Sequence, residues 1–308
     1  MISSEILKIA FLSGAKNIAK HTAEVNSINV FPVPDGDTGT NLALTLTGCS
    51  EKIANMPEMG AGELANKIAG ELFRSARGNS GVIFSLIFKG FAESVKVLDY
   101  IDAISLAKGL ENGCNEAYSA IEKPTEGTIL TVIRIAASKA SAAAAKGKNA
   151  HETFAEAVNG ARVSLKSTPN LLPTLKKHGF VDAGGQGLVY IMEGMLMADK
   201  KSIQPKVILS QKADNQNIRY IYCTEFLITP ASNTDIKKFR CFLSEIGDSS
   251  AVAEHSGIIK VHVHTNSPDL ALGKALEIGE LSNIKIDNMK IQAENGVFQW
   301  NSTQASNI

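Results

Sequence analysis

The spacing of apolar residues changes once along this 308-residue chain, and that change limits the folds open to it. As far as about residue 200, Ala, Leu, Ile and Phe recur every three or four positions and are broken by Gly, Pro and Asn, which is the rhythm of amphipathic helices. Beyond the polar run 210–217 they alternate with polar residues and turn β-branched or aromatic, as in strands. Helices are expected over roughly 4–24, 39–56, 61–75, 80–97, 101–120, 127–146, 150–167 and 185–200. Strands are expected over roughly 218–228, 257–265 and 284–289, with helices over roughly 235–246 and 268–278 between them. The chain therefore reads as a multidomain α plus α/β protein. A helical domain spans 1–203, a smaller α/β domain spans 216–298, and the polar tail 301–306 is expected to be disordered.

Charge excludes some partners. Lys plus Arg equals Asp plus Glu, 31 each, so bulk charge recruits neither nucleic acid nor a membrane surface. No apolar stretch is long enough to span a bilayer. The first residues lack a basic n-region and a long apolar h-region, so a secretory signal is not expected. Cys49, Cys114, Cys223 and Cys241 form no CxxC pair, which fits a reduced, cytoplasmic setting. Cys49, Cys114 and Cys241 lie in apolar or amphipathic contexts and are expected to pack.

The densest chemistry lies in Asn29-Val30-Phe31-Pro32-Val33-Pro34-Asp35-Gly36-Asp37-Thr38-Gly39-Thr40-Asn41. Prolines stiffen the chain before two carboxylates, and glycines loosen it between and after them. Such a loop can aim several oxygens at one hard cation such as Mg²⁺, which often bridges a carboxylate to substrate phosphates. Thr38 to Asn41 then open a helix, whose first N–H groups can hold phosphate. The same residues also make an ordinary turn followed by an N-cap. Three further Gly-rich segments precede helices: Arg77-Gly78-Asn79-Ser80-Gly81, Glu126-Gly127-Thr128, and Val181-Asp182-Ala183-Gly184-Gly185-Gln186-Gly187. None is a Walker A or Rossmann motif. In the α/β part, His262 and His264 share one face of a strand, as do Cys223 and Glu225 on another. Adjacent strands would make Cys223, His262 and His264 a three-ligand zinc site with one position open; two strand histidines beside a buried cysteine explain the pattern equally. His21, His151, His178 and His255 show no such pairing and are expected at the surface or as caps.

These motifs resemble the DhaL (DAK2) family, the ATP-binding subunit or domain of dihydroxyacetone kinases. The form Asn-Val-Phe-Pro-Val-Pro-Asp-Gly-Asp-Thr-Gly-Thr-Asn is closer to the fatty acid kinase catalytic subunits (FakA, YloV-like). The segments 75–81, 126–128, 181–187, 261–266 and 279–289 match the same subfamily. The resemblance implies an N-terminal eight-helix barrel and ATP held with two Mg²⁺ ions by Asp35 and Asp37. The third acid of dihydroxyacetone kinases falls near Asn29, with one extra residue in the spacing. Thr38, Gly39, Thr40 and Asn41 continue the nucleotide motif. Asn79, Ser80 and Gly81 match nucleotide-contacting positions, as do Gly127 and Thr128, and Asp182, Gly184 and Gly185 match a loop near the nucleotide. Zn²⁺ is implied on Cys223, His262 and His264. The implied reaction is transfer of the γ-phosphoryl of ATP to a fatty acid carried by a separate fatty-acid-binding protein (FakB/DegV-like), a step that serves phospholipid synthesis. A homodimer is implied as well. Subunits of this kind continue into a third domain, whereas this chain stops soon after the middle one. A triose-type small-molecule kinase and a non-catalytic nucleotide- and zinc-binding fragment are the rival expectations.

Overall fold

The computed structural model describes residues 1–121, 123–198, 219–231 and 235–291. The 210–217 run, the 301–306 tail and the expected domain boundaries at 203, 216 and 298 lie outside the described residues. Eight long helices build the first part: α1 (Ser4–Lys20), α3 (Thr38–Ala54), α4 (Ala61–Ser75), α5 (Gly78–Val95), α6 (Ala103–Ala120), α7 (Ile129–Ala145), α8 (Ala150–Leu171) and α10 (Ala183–Leu196). Two short helices, α2 (Thr22–Ser27) and α9 (Pro173–His178), sit between them. Each long helix lies against its neighbours in sequence, and α10 returns onto α1, which closes the ring. The core inside includes Phe11, Leu42, Leu64, Ile68, Leu72 and Ile133, all essentially buried. Each such side chain contributes about 1.5–3 kcal/mol by leaving water.

Boundaries depart from the periodicity where local chemistry intervenes. The expected helix over 4–24 is two helices, because His21 adopts φ −104° and ψ 10° and its N–H turns back to Ile18 O. Helix α8 runs past the expected end at 167 and through Pro169. Proline has no N–H for the carbonyl of Leu165, and the Thr168 hydroxyl takes that carbonyl at 2.7 Å instead. Helix α9, opened by Pro173 and ended by Gly179 at φ 73°, is too short to show a period.

The second part is an antiparallel sheet of β1 (Tyr222–Pro230), β2 (Gly247–His255), β3 (Ile258–Thr265) and β4 (Gly279–Asn288), in the order β2-β3-β1-β4. Helices α11 (Ile236–Ile246) and α12 (Pro268–Leu276) cover one face, where Phe226, Ile228, Val261 and Val263 pack with Phe239, Leu243 and Ala271. Alternation sends Cys223, Glu225, Lys260, His262 and His264 to the other face. That face turns toward the helical ring. The sequence does not signal β2, because at its centre the one good strand former, Val252, stands between two alanines with weak strand preference. Those alanines let β2 lie close against Val82 and Leu86 of α5. Helix α5 is apolar on two sides for this reason: Phe84, Ile87 and Phe88 point into the ring, and Val82 and Leu86 meet the sheet. Among the described residues, no helix is long and apolar enough to cross a membrane.

Candidate functional site

Two asparagines shape the acid loop. Asn29 Oδ1 accepts from Thr38 N at 3.0 Å, and its Nδ2 donates to Val33 O at 2.8 Å, so one buried carboxamide ties both ends of the loop. Asn26 Oδ1 accepts from Thr40 N at 3.1 Å, and its Nδ2 donates to Thr40 Oγ1 at 2.9 Å. The amides of Thr38 and Thr40 are therefore engaged by asparagines. Gly39 fits where nothing larger can, since a Cβ there would stand 2.4 Å from Thr22 O. Between the ties, Gly36 at φ 66° turns the chain through the left-handed region and brings Asp35 and Asp37 together. Burial and the neighbouring Asp37 carboxylate push Asp35 well above its ordinary value. Asp37 is raised too, by burial, against downward pulls from Asp35, Asn41, His262 and Lys285. One proton shared between such carboxyls is the usual state without a cation.

Across from the acids, the α4–α5 turn carries Gly78 at φ 55°, where a Cβ would meet Asn41 Nδ2 at 2.3 Å. No side chain caps α5. Asn79 and Ser80 in its first turn line the same cavity as Asn29, Asp35, Asp37, Thr38 and Asn41. Asn79 Oδ1 is buried without a partner. Gly81 instead packs inside the helix pair, its Cβ position 2.3 Å from Thr45 Oγ1.

The third wall belongs to the sheet. Strand register sets Cys223 opposite His264 and Glu225 opposite His262. Potential ligand atoms of Cys223, His262 and His264 lie within 4.8 Å of one another, and all three residues line the acid-pair cavity. The sequence presents the acids and the His/Cys set as separate signals; the fold joins them. His262 Nδ1 is 3.0 Å from Glu225 Oε1, whereas His262 Nε2 and His264 Nδ1 are buried without hydrogen-bond partners. Burial, then His262, hold His264 down at about 3, so its ring is neutral near pH 7. Burial, helped by Glu225 and Asp37, keeps the Cys223 thiol well above its ordinary range. Burial opposes ionisation of Glu225, yet His262, Lys260 and Lys285 outweigh it and hold that carboxyl at about 2.

The remaining candidates gather elsewhere. Thr128 caps α7, and Asp182 caps α10 by accepting from Gly185 N at 2.7 Å. Asp182 also takes the amide of Ile129 and donates from its own N–H to Thr168 Oγ1 at 3.1 Å, so one buried carboxyl joins two helix starts. Burial lifts it to about 7. Gly184 and Gly185 lie against Asp182, Ile129 and Val132. Gly127, Thr128, Asp182, Gly184 and Gly185 thus form a second cluster outside the lining of the acid-pair cavity, and Gly39, Thr40 and Gly81 do not line it either.

Asn26 and Lys260 brace the site without a signal in the sequence reading, whereas Arg77 stood there only as part of its Gly-rich segment and Glu225 only as the face partner of Cys223. Cys49 and Cys114 are buried, and burial pushes their thiols up to about 12 and about 11. Cys241 corrects its expectation: it is exposed on α11. His255 is half-buried, its ring centre 5.6 Å from that of Phe73.

Comparison with known proteins adds a family to this geometry. The DAK2 domain matches residues 32–197, and the FakA-like middle domain of fatty acid kinases matches residues 219–296. An uncharacterized protein from Staphylococcus saprophyticus is 39% identical over 308 residues, which is 94% of this chain and 56% of that protein. Uncharacterized proteins from Staphylococcus haemolyticus and Staphylococcus aureus are each 37% identical over the same shares. The chain thus spans about half the length of the curated relatives it matches. The dihydroxyacetone kinase from C. freundii in complex with AMP-PNP and Mg²⁺ aligns at a TM-score of 0.48 and 19% identity, over 65% of this chain and 34% of that one. With more than half of its length matched by one domain, the chain belongs to the DAK2 domain family and carries a FakA-like middle domain behind it.

Proposed function

We propose that the protein is an ATP-dependent kinase that phosphorylates a fatty acid, presented by a separate fatty-acid-binding protein, to give an acyl phosphate. The observation that carries this reading is the single cavity on which the acid pair, the α5 start and the His/Cys set meet. The middle domain, with its likeness to that of fatty acid kinases, favours a lipid acid over a triose.

The residues fit the groups this reading requires. Two half-buried carboxyls whose proton affinity is raised by burial and proximity suit a divalent cation in place of the proton. Asp35 and Asp37 would hold Mg²⁺, which supplies charge neutralisation to the phosphates. Two unpartnered imidazole nitrogens and a thiol within reach of each other suit Zn²⁺. Cys223, His262 and His264 would hold it, and it would supply Lewis acidity to that wall of the cavity.

The chain's own groups do the positioning. Asn79 and Ser80, which follow the Gly78 amide already held by Glu225, would orient phosphate at the α5 start, and Asn29 and Asn26 keep the acid loop in shape. A carboxylate oxygen forms the new bond to the γ-phosphorus while the bond to the β–γ bridging oxygen breaks and ADP leaves. Because a fatty acid is already ionised near neutral pH, no general base is needed, and phosphoryl transfer relies on positioning and charge stabilisation.

The test is Mg²⁺-dependent ADP release with a fatty-acid-loaded binding protein and, separately, with free dihydroxyacetone. Release with the loaded protein alone is expected. Release with dihydroxyacetone overturns the lipid assignment, and ATP binding without release under either condition overturns the kinase assignment for this chain.

A further inference from the structure

The acid pair and the His/Cys set stand on different parts of the chain, so their spacing depends on what crosses between them. Among the described residues, Lys260 and Glu225 reach from the sheet to the α4–α5 turn. Lys260, buried on β3, donates from Nζ to Ala76 O at 2.5 Å and to Phe73 O at 3.2 Å. It satisfies carbonyls that the end of α4 leaves without intrahelical partners. Glu225, buried on β1, takes the other side of the turn: its Oε1 accepts from Gly78 N at 2.7 Å and lies 3.0 Å from His262 Nδ1. Its Oε2 is 3.9 Å from Arg77 Nη1. One carboxylate oxygen thus receives the first amide of α5 and a ring nitrogen of His262. With Nδ1 committed, His262 presents Nε2, which is buried and has no hydrogen-bond partner among the described residues. Directly after Gly78 come Asn79 and Ser80, which line the cavity on the acid side.

On the reading of Cys223, His262 and His264 as metal ligands, we propose that Glu225 is a positioning residue that couples the two halves of the site, so that metal on the sheet and nucleotide at the α5 start each tighten the binding of the other. A carboxylate behind a metal-bound imidazole fixes the tautomer and the ring orientation. Here the same oxygen also fixes the amide that opens α5, so the placement that suits the metal is the placement that orders the phosphate-facing turn. Such coupling is reciprocal by thermodynamic necessity. A Glu225 that only balanced buried charge between two packed surfaces would lower stability when removed and leave the two ligands independent.

The experiment uses the full chain, Co²⁺ as a spectroscopic replacement for zinc, and AMP-PNP with Mg²⁺. The dissociation constant of each is measured with and without the other in wild type, E225Q, K260M and C223A. Wild type is expected to show coupling of about 5-fold or more. E225Q is expected to bind Co²⁺ about 10–100-fold more weakly and to lose the coupling. K260M, which loosens the contact without touching His262, is expected to unfold at lower denaturant and keep the coupling. Equal coupling in wild type and E225Q, or none in wild type, overturns the proposal. Co²⁺ binding that survives C223A unchanged overturns instead the ligand assignment beneath it. Should E225Q fail to fold, hydrogen exchange in wild type decides: Co²⁺ slows exchange over residues 76–81 if Glu225 transmits order, and an unchanged rate overturns it.

Discussion

The acid loop and the β1–β3 pair reach the same cavity by opposite means. The loop has no regular hydrogen bonding, and its shape is written by side chains: Asn29 and Asn26 hold its ends, and Gly36 and Gly39 permit its turns. The strands place Cys223, His262 and His264 by backbone register, whatever the side chains do. A loop held by two carboxamides can adjust to what binds between Asp35 and Asp37. A register cannot adjust without flipping every side chain to the other face. The adaptable half carries the acids, and the rigid half carries the candidate zinc ligands.

The comparison can be broken in four places. The largest effect is expected from Asp37→Ala, which removes a proposed cation ligand: Mg²⁺-dependent ADP release should fall on the order of 10³-fold. Near-normal turnover would remove the acids from the mechanism. Next is Asp182→Asn, a test of the second helix-start cluster. The folded pKa of Asp182, about 7, lies above its unfolded value, so the folded state binds the extra proton. Stability from this group is full below the unfolded value and is lost as pH rises toward 7, on the order of a few kcal/mol. Asparagine keeps the cap to Gly185 and carries no charge, so its melting temperature should vary less over pH 4–7 than that of wild type. An equal slope in both proteins refutes the assignment.

Asn29→Ala sharpens the contrast directly. It leaves Thr38 N–H and Val33 C=O without their partner, at a cost of about 1–3 kcal/mol. Nucleotide affinity should drop accordingly, whereas the Co²⁺ spectrum of the strand site should stay as in wild type. A changed spectrum would mean that the acid loop helps to shape the strand site. The smallest effect is expected on the strand side. Thr224 Oγ1 is buried and unpartnered among the apolar residues on the covered face of β1. Thr224→Val should raise the stability by about 1 kcal/mol in a denaturant titration, because an unsatisfied hydroxyl is replaced by a methyl of the same shape. A lower midpoint would show that the hydroxyl has a partner.

What the sequence alone determined is whatever depends on neighbours in the chain. Apolar spacing specifies the eight long helices and, by alternation, the shared face of His262 and His264. The Pro/Gly framing of Asp35 and Asp37 specifies a turn that presents two carboxylates. Short or small-residue elements escaped: α9 and β2 gave no signal and α2 read as the end of α1, because six residues make no period and Ala251 and Ala253 follow the shape of α5 rather than any strand preference. The tertiary structure alone decided that the sheet's polar face meets the α4–α5 turn, so that one cavity serves both signals. Glu225 reaches Gly78 across 147 positions and Lys260 reaches Ala76 across 184. Contacts at such separation arise only from how the two packed surfaces fit, and no local pattern encodes which carbonyl or amide a buried charge will meet.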